Sequence, residues 1–220
     1  MDLEAAATSV GALADPTRRA LYGYVVARGE PVGREDAASA LALPQHTVNF
    51  HLDRLVEAGL LDTEFKRLSG RTGPGAGRPS KLYRRVDAEV AVSLPDRRYD
   101  LVGQILAAGV EQASGGADLD EAVAAAAAEA GRSLGAEVAP GSVSTFVGVL
   151  ADHGFEPRVE ADVVLLSNCP FDALAKAHTA LVCGLNRSFV QGVADGVGCA
   201  GVTACLEPEP GLCCVKARLS

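Results

Sequence analysis

The sequence contains no tryptophan, one methionine and only 5% aromatic residues over 220 positions. A packed interior must therefore come from leucine, valine and alanine, and an apolar fraction of 48% is enough for one large domain or two ordinary ones. No run of about 18 apolar residues is present, so no membrane-spanning helix and no membrane partner are expected. The opening MDLEAAATSV lacks a basic segment followed by an apolar one, so no secretory signal is expected either. A cytoplasmic protein follows, and there six cysteines serve metal or redox chemistry more often than structural disulfides. Histidine is scarce. Only His153 and His178 lie beyond the first 90 residues, and neither stands in a motif that would activate a cysteine nucleophile. No enzyme is expected. The glycine-rich run from Gly73 to Pro79 lacks a Lys-Ser/Thr ending, which excludes a phosphate-gripping P-loop. No internal repeat is evident.

What is present is unevenly placed. The net charge is −8, yet residues 1–85 hold 12 basic and 10 acidic residues, and residues 86–220 hold 8 basic and 18 acidic. Phe65 to Arg85 carry seven basic side chains and no acid. A local basic patch on an acidic chain is what phosphate contacts require.

The chain is organised around Pro44 to Asp62, PQHTVNFHLDRLVEAGLLD. Val48, Leu52, Leu55, Val56, Leu60 and Leu61 recur at helical spacing, so one face is apolar. Gln45, His46, Asn49, Asp53 and Arg54 line the other. Pro44 suits a first helical turn and Gly59 a C-terminal end. A shorter helical pattern, Arg34 to Leu43, precedes it. Two short helices with a tight turn and an outward polar face predict a helix-turn-helix. The bland alternative is an ordinary amphipathic core helix. Upstream, Leu3 to Ala14 is alanine-rich and helical in pattern, and Asp15-Pro16 opens a helix that Gly29 ends.

The words TVNFHLDRLVEAGLL, with DPTRRALY at Asp15 to Tyr22, resemble the recognition helix and second-helix opening of ArsR-like winged-helix repressors. Leu60 to Leu68 and Leu82 to Val86 read as two strands, with a glycine- and proline-rich tip between them. This is the expected wing. Gly77-Arg78-Pro79 has two readings: an arginine held extended for a narrow minor groove, or a loop that simply turns the chain. Double-stranded operator DNA is the expected partner. Base contacts are expected from His46, Thr47, Asn49, His51 and Arg54. Phosphate or minor-groove contacts are expected from Arg71, Arg78 and Lys81.

Val86 to Arg98 reads as a linker. Tyr99 to Ala113 and Ala117 to Leu134 read as helices, the second rich in alanine. Close packing of such a helix suits a dimer contact, and an alanine-rich surface helix is the plain alternative. Ser142 to His153 is a further helix. Short strands are expected at 158–161 and 163–166, helices at Pro170 to Ala177 and Thr179 to Val197, and a closing hairpin at Gly201 to Leu206 and Cys213 to Leu219. The predicted class is α+β. The expected parts are a winged helix-turn-helix at 1–90, a helical linker or dimerisation region at 91–140, and an α+β sensor domain at 141–220.

All six cysteines lie in the last 52 residues, and none forms a Cys-x-x-Cys pair. Cys169, Cys183, Cys199 and Cys213 are separated by 13, 15 and 13 residues, as suits ligands from separate elements. Cys169 precedes Pro170 at a predicted helix start, where the dipole favours thiolate. Cys213 and Cys214 point to opposite faces of a predicted strand, which makes Cys213 the inward one. His178 would lie roughly 13 Å along a helix from Cys169, too far for one mononuclear metal. Thiolates suit iron–sulfur clusters, zinc or copper(I). Buried cysteines acting as small hydrophobes are the plain alternative.

The words NCPFDALAKAHTALVCGLN and, later, PGLCCV resemble the C-terminal domain of the SufR group, ArsR-like repressors of iron–sulfur assembly genes. The resemblance spans nearly the whole chain. It implies a homodimeric repressor holding a [4Fe-4S] or [2Fe-2S] cluster, with Cys169, Cys183 and Cys213 or Cys214 on the matched motif. Cys199 completes the expected metal set of Cys169, Cys183, Cys199 and Cys213. Cys205, Cys214 and His178 stay open as fourth ligands. The alternatives are a zinc- or thiol-based redox regulator, or a small-molecule-responsive repressor with no cofactor.

Overall fold

The computed structural model describes residues 3–67, 79–138 and 141–220. The chain divides into two compact units, Met1–Val92 and Ser93–Ser220.

In the first unit, α1 (Leu3–Ala12) and α2 (Pro16–Arg28) precede a short strand β1 (Val32–Gly33). Helices α3 (Arg34–Leu41) and α4 (Gln45–Glu57) follow, then strands β2 (Leu61–Lys66) and β3 (Ser80–Arg85). Asp15 caps α2 as its sequence predicts: the side chain accepts from the Arg18 N–H at 2.9 Å, and Pro16 fills the first turn. Gly29 closes the helix in the left-handed region at φ 65°. Pro44 stands just ahead of α4, in extended backbone, so the helix begins one residue later than expected. At its far end Leu60 N–H reaches back to the Leu55 carbonyl across Gly59, which takes φ 69°. Val48, Leu52 and Leu55 are fully buried against Leu21, Val25 and Tyr83. Burial of each leucine contributes roughly 1.5–3 kcal/mol. The sheet order is β1-β3-β2, all antiparallel, with Leu61 opposite Arg85 and Lys66 opposite Ser80.

The second unit holds α5 (Tyr99–Ser114), α6 (Leu119–Ala136), α7 (Val143–Asp152), β4 (Pro157–Glu160), β5 (Val163–Leu166), α8 (Asp172–Ala177), α9 (Thr179–Val197), β6 (Val202–Leu206) and β7 (Val215–Leu219). Its antiparallel sheet runs β4-β5-β7-β6. Helix α9 is the spine, with ten buried residues along 19. Helix α6 packs on it at backbone distance: a Cβ on Gly131 would strike the Phe189 carbonyl, and one on Gly192 the Ala128 carbonyl. The alanine-rich stretch thus packs inside the core of its own unit, together with α5. A helix-turn-helix unit followed by a mixed helix-and-sheet unit is the α+β composition that the sequence predicts. No helix among the described residues is long and apolar enough to cross a membrane.

Candidate nucleic-acid interface and cysteine site

Helix α4 carries its polar residues outward, as amphipathic spacing requires. His46 and Arg54 are exposed, and Thr47, Asn49 and His51 are half-buried. Arg54 pairs with Glu57 at 2.7 Å and lies over the ring of Phe50, 5.6 Å from its centroid. Phe50 itself is 56% exposed, which the helical pattern did not single out. Asn49 Oδ1 and His51 Nδ1 are buried and have no hydrogen-bond partner among the described residues. His51 therefore presents less of its ring to a groove than His46 does. Arg71 and Arg78, expected to touch phosphate or the minor groove, lie outside the described residues.

Lys81 is described, and it is already engaged. Its Nζ lies 2.8 Å from Asp53 Oδ1. The same carboxylate accepts both Asp53-directed bonds from Arg34 Nη2, at 3.0 and 2.9 Å, and the Tyr83 hydroxyl at 2.7 Å. Arg34 Nε donates back to Tyr83 Oη at 2.7 Å. This network joins α3, α4 and β3. Burial works to raise the Asp53 pKa, but the bonds from Lys81 and Tyr83 and the Arg34 charge outweigh it and hold the carboxyl below its usual value. Burial and the bond to Asp53 push the Tyr83 phenol up to about 12. Sequence spacing could not reveal the network, because Arg34, Asp53 and Tyr83 meet only through tertiary packing.

Residues 13–64 match the family of helix-turn-helix domains, from the end of α1 into β2. The first unit carries a helix-turn-helix domain. No curated protein and no solved structure gives a match to the chain.

In the second unit the loop before α8 is firmly held. Asn168 is 7% exposed, and its Nδ2 donates to the carbonyls of Gly154 and Asp96. Arg97 Nη1 donates to Asn168 Oδ1 and to the Cys169 carbonyl. Phe171 is fully buried, edge-on to Phe155 at 6.0 Å. Cys169 thus sits in an anchored turn, and α8 starts only at Asp172, later than the sequence suggests. Proline at 170 disfavours helical backbone at Cys169, which keeps Cys169 itself out of the helix. The Cys169 thiol is set by local bonds in place of a helix dipole: a hydrogen bond from Cys213 and the Phe171 N–H, with help from the Arg97 charge, lower its pKa.

Four of the six cysteines interact. Cys213 lies near enough to Cys169 to lower its pKa, and the interaction with Cys169, followed by burial, raises the Cys213 pKa far above that of a free thiol. Burial and then a bond with Cys214 push Cys183 up to about 12. Cys183 also feels Cys169, and Cys213 feels Cys214. Cys214 was expected to turn away on the opposite strand face. It does not, because β7 begins only at Val215 and Cys214 lies in a bend, where strict alternation does not apply.

Cys199 stands apart. It follows the C-terminal end of α9, whereas Cys183 is near the start, so the helix separates them by about 20 Å. Its thiol donates to the Gly141 carbonyl at 3.6 Å, and burial raises its pKa. Cys205 lies on β6 and donates to the Thr203 carbonyl at 3.7 Å. His178 is exposed at the α8–α9 junction. Among the described residues no three His, Cys, Asp or Glu side chains form a ready-made metal-binding group. The four interacting sulfurs match thiolate-seeking metals in donor chemistry and shift one another's ionisation in two pairs. Asn186 also reaches this cluster, with Nδ2 donating to Cys213 Sγ at 3.3 Å. Its position three residues after Cys183 was the available signal, since such spacing shares a helix face.

Proposed function

We propose that the protein is a DNA-binding transcriptional regulator, a homodimeric repressor, whose operator affinity responds to the state of a cysteine site in its second unit. The helix-turn-helix domain supports the DNA-binding part. The sensing part rests chiefly on one observation: Cys169, Cys183 and the adjacent pair Cys213 and Cys214, from three separate stretches of the chain, come near enough to shift one another's ionisation, Cys169 with Cys213 and Cys183 with Cys214. In this reading those four residues hold an iron–sulfur cluster, and Cys214 takes the place that spacing gave to Cys199. A cluster would supply a redox- and iron-dependent change of charge and coordination at that point. The chain's own part is to anchor Cys169 through Asn168, Arg97 and Phe171, and to carry Cys183 on the rigid spine α9. A dimer would read two half-sites about one DNA turn apart, so a modest reorientation suffices to release the operator.

The test is anaerobic purification and reconstitution with iron and sulfide, followed by absorption spectroscopy, iron and sulfide assay, and binding to an operator selected from random DNA. The reading expects a visible charge-transfer band and operator affinity that differs between loaded and empty protein. Absence of iron, sulfide and any visible band in protein with reduced cysteines would sink the cluster. A metal-free thiol switch is the second reading, favoured by the proximity of Cys213 to Cys169, which lowers the Cys169 pKa. It expects operator affinity to follow thiol oxidation with no metal bound.

A further inference from the structure

Asn186 is a buried polar residue on an apolar face. It is 1% exposed, on the stretch of α9 that also buries Val182, Cys183, Leu185, Phe189 and Val190. Its Nδ2 donates to Cys213 Sγ at 3.3 Å, while its Oδ1 is buried with no hydrogen-bond partner among the described residues. A leucine of the same branched outline would bury apolar surface there without stranding an acceptor. The amide is therefore a poor choice for packing alone. The polar atom it addresses is the Cys213 sulfur.

The helix sets the geometry. Cys183 and Asn186 are three residues apart and share a face, so the amide projects beside one thiol and reaches a second ahead of β7. Cys213 is held there by its own N–H, which donates to the Leu166 carbonyl at 2.8 Å and extends the pairing with β5. Sulfur accepts this N–H···S bond best when it is electron-rich, as a metal-bound thiolate is.

We infer that Asn186 is a positioning residue for the Cys213 thiolate: its amide orients the sulfur toward the centre shared with Cys169, Cys183 and Cys214 and withdraws electron density from it. This inference rests on the cysteine site proposed above. Partners of this kind fix ligand orientation, and their loss typically weakens metal binding about 10- to 100-fold. Hydrogen bonds to sulfur are also one of the levers that set the potential of a bound cluster.

The experiment uses the full chain under anaerobic conditions, with Co(II) as the probe and iron plus sulfide as a parallel loading. Wild-type protein should give a sulfur-to-cobalt charge-transfer band. Asn186→Leu should bind Co(II) about 10- to 100-fold more weakly. Its charge-transfer band should move to longer wavelength, because the sulfur lone pair is no longer lowered by a donor. A merely structural role would not move the band. Asn186→Ala, smaller and without the donor, should repeat both effects, which covers the case in which the leucine variant fails to fold. Circular dichroism checks the fold of each. If a folded variant binds Co(II) with wild-type affinity and band position, Asn186 has no such role, although the cysteine site stands. If the wild type gives no thiolate band with either loading, the site itself is wrong and the inference falls with it.

Discussion

The Tyr83 hydroxyl donates to Asp53 Oδ1 at 2.7 Å and ties strand β3 to the middle of helix α4. Asp53 thus acts as a clamp, because Arg34 and Lys81 bind the same carboxylate. The orientation of the helix proposed to read DNA is therefore fixed against the strand that returns from the expected wing. Tyr83→Phe removes the hydroxyl and leaves Arg34 Nε without its acceptor. Net loss of such a bond costs about 1–2 kcal/mol. A lower urea midpoint for the first unit is expected, with helix content unchanged by circular dichroism. An unchanged midpoint would show that the clamp is not structural.

The same clamp makes the first unit sensitive to acid. Asp53 has a folded pKa below its unfolded value of about 3.9. Its contribution is therefore fully present above that unfolded value and is lost as pH falls through the lower folded one. With 43% of the side chain exposed, the effect is modest. Thermal unfolding followed from pH 6 down to pH 2.5 should show a decline below about pH 4 that Asp53→Asn reduces. An identical profile in the variant would rule the contribution out.

Lys81 belongs to both the clamp and the expected DNA surface. A phosphate contact carries no sequence information and releases counterions. Lys81→Ala should weaken binding by a similar factor on all sequences and lower the salt slope by about one. His46→Ala and Arg54→Ala should instead alter sequence preference, each base contact being worth roughly 1–3 kcal/mol of discrimination. Selection from a random library at two salt concentrations separates the two behaviours. A change of preference in Lys81→Ala alone would reverse these assignments.

The elements of both units were legible because they rest on local rules. Asp15-Pro16 and Gly29 mark the ends of α2, and the apolar face of α4 is written at helical spacing. The cysteine arrangement was only half legible. Gaps of 13, 15 and 13 residues suited ligands on separate elements, but gaps say nothing about where a long helix ends, and Cys199 lies beyond the far end of α9. Cys214 was hidden because a bend ahead of β7 breaks the alternation that would have turned it away. Arg97 gave no signal at all, being 72 residues from the turn it braces. Pairings across such distances depend on the packed core and leave no periodic trace.

The α6–α9 contact predicts opposite outcomes for two similar substitutions. Gly192→Ala would drive a Cβ into the Ala128 carbonyl, which is backbone and cannot swing aside. A loss of about 1–3 kcal/mol or more is expected from such overpacking. Gly148→Ala lies on α7, where the added Cβ meets nothing within 4 Å. Helix propensity should make it neutral or stabilising by up to about 1 kcal/mol. Denaturant titration of both variants reads the difference. Equal midpoints would mean that the two helices are not packed at backbone distance.

Serine scanning of the cysteines distinguishes the spacing-based set from the packed one. Serine removes the soft thiolate while nearly preserving volume, so the proposed metal site should be lost with little change in the core. Cys214→Ser should abolish or strongly reduce cluster loading, as should Cys169→Ser, Cys183→Ser and Cys213→Ser. Cys199→Ser should load normally, because its thiol meets the Gly141 carbonyl at the opposite end of α9 from Cys183. Its stability should change little, since a hydroxyl can make the same bond to that carbonyl. Iron and sulfide content per chain after anaerobic reconstitution is the measurement. Full loading of Cys214→Ser with none in Cys199→Ser would restore Cys169, Cys183, Cys199 and Cys213 as ligands, and would require the C-terminal end of α9 to rearrange when the cluster binds.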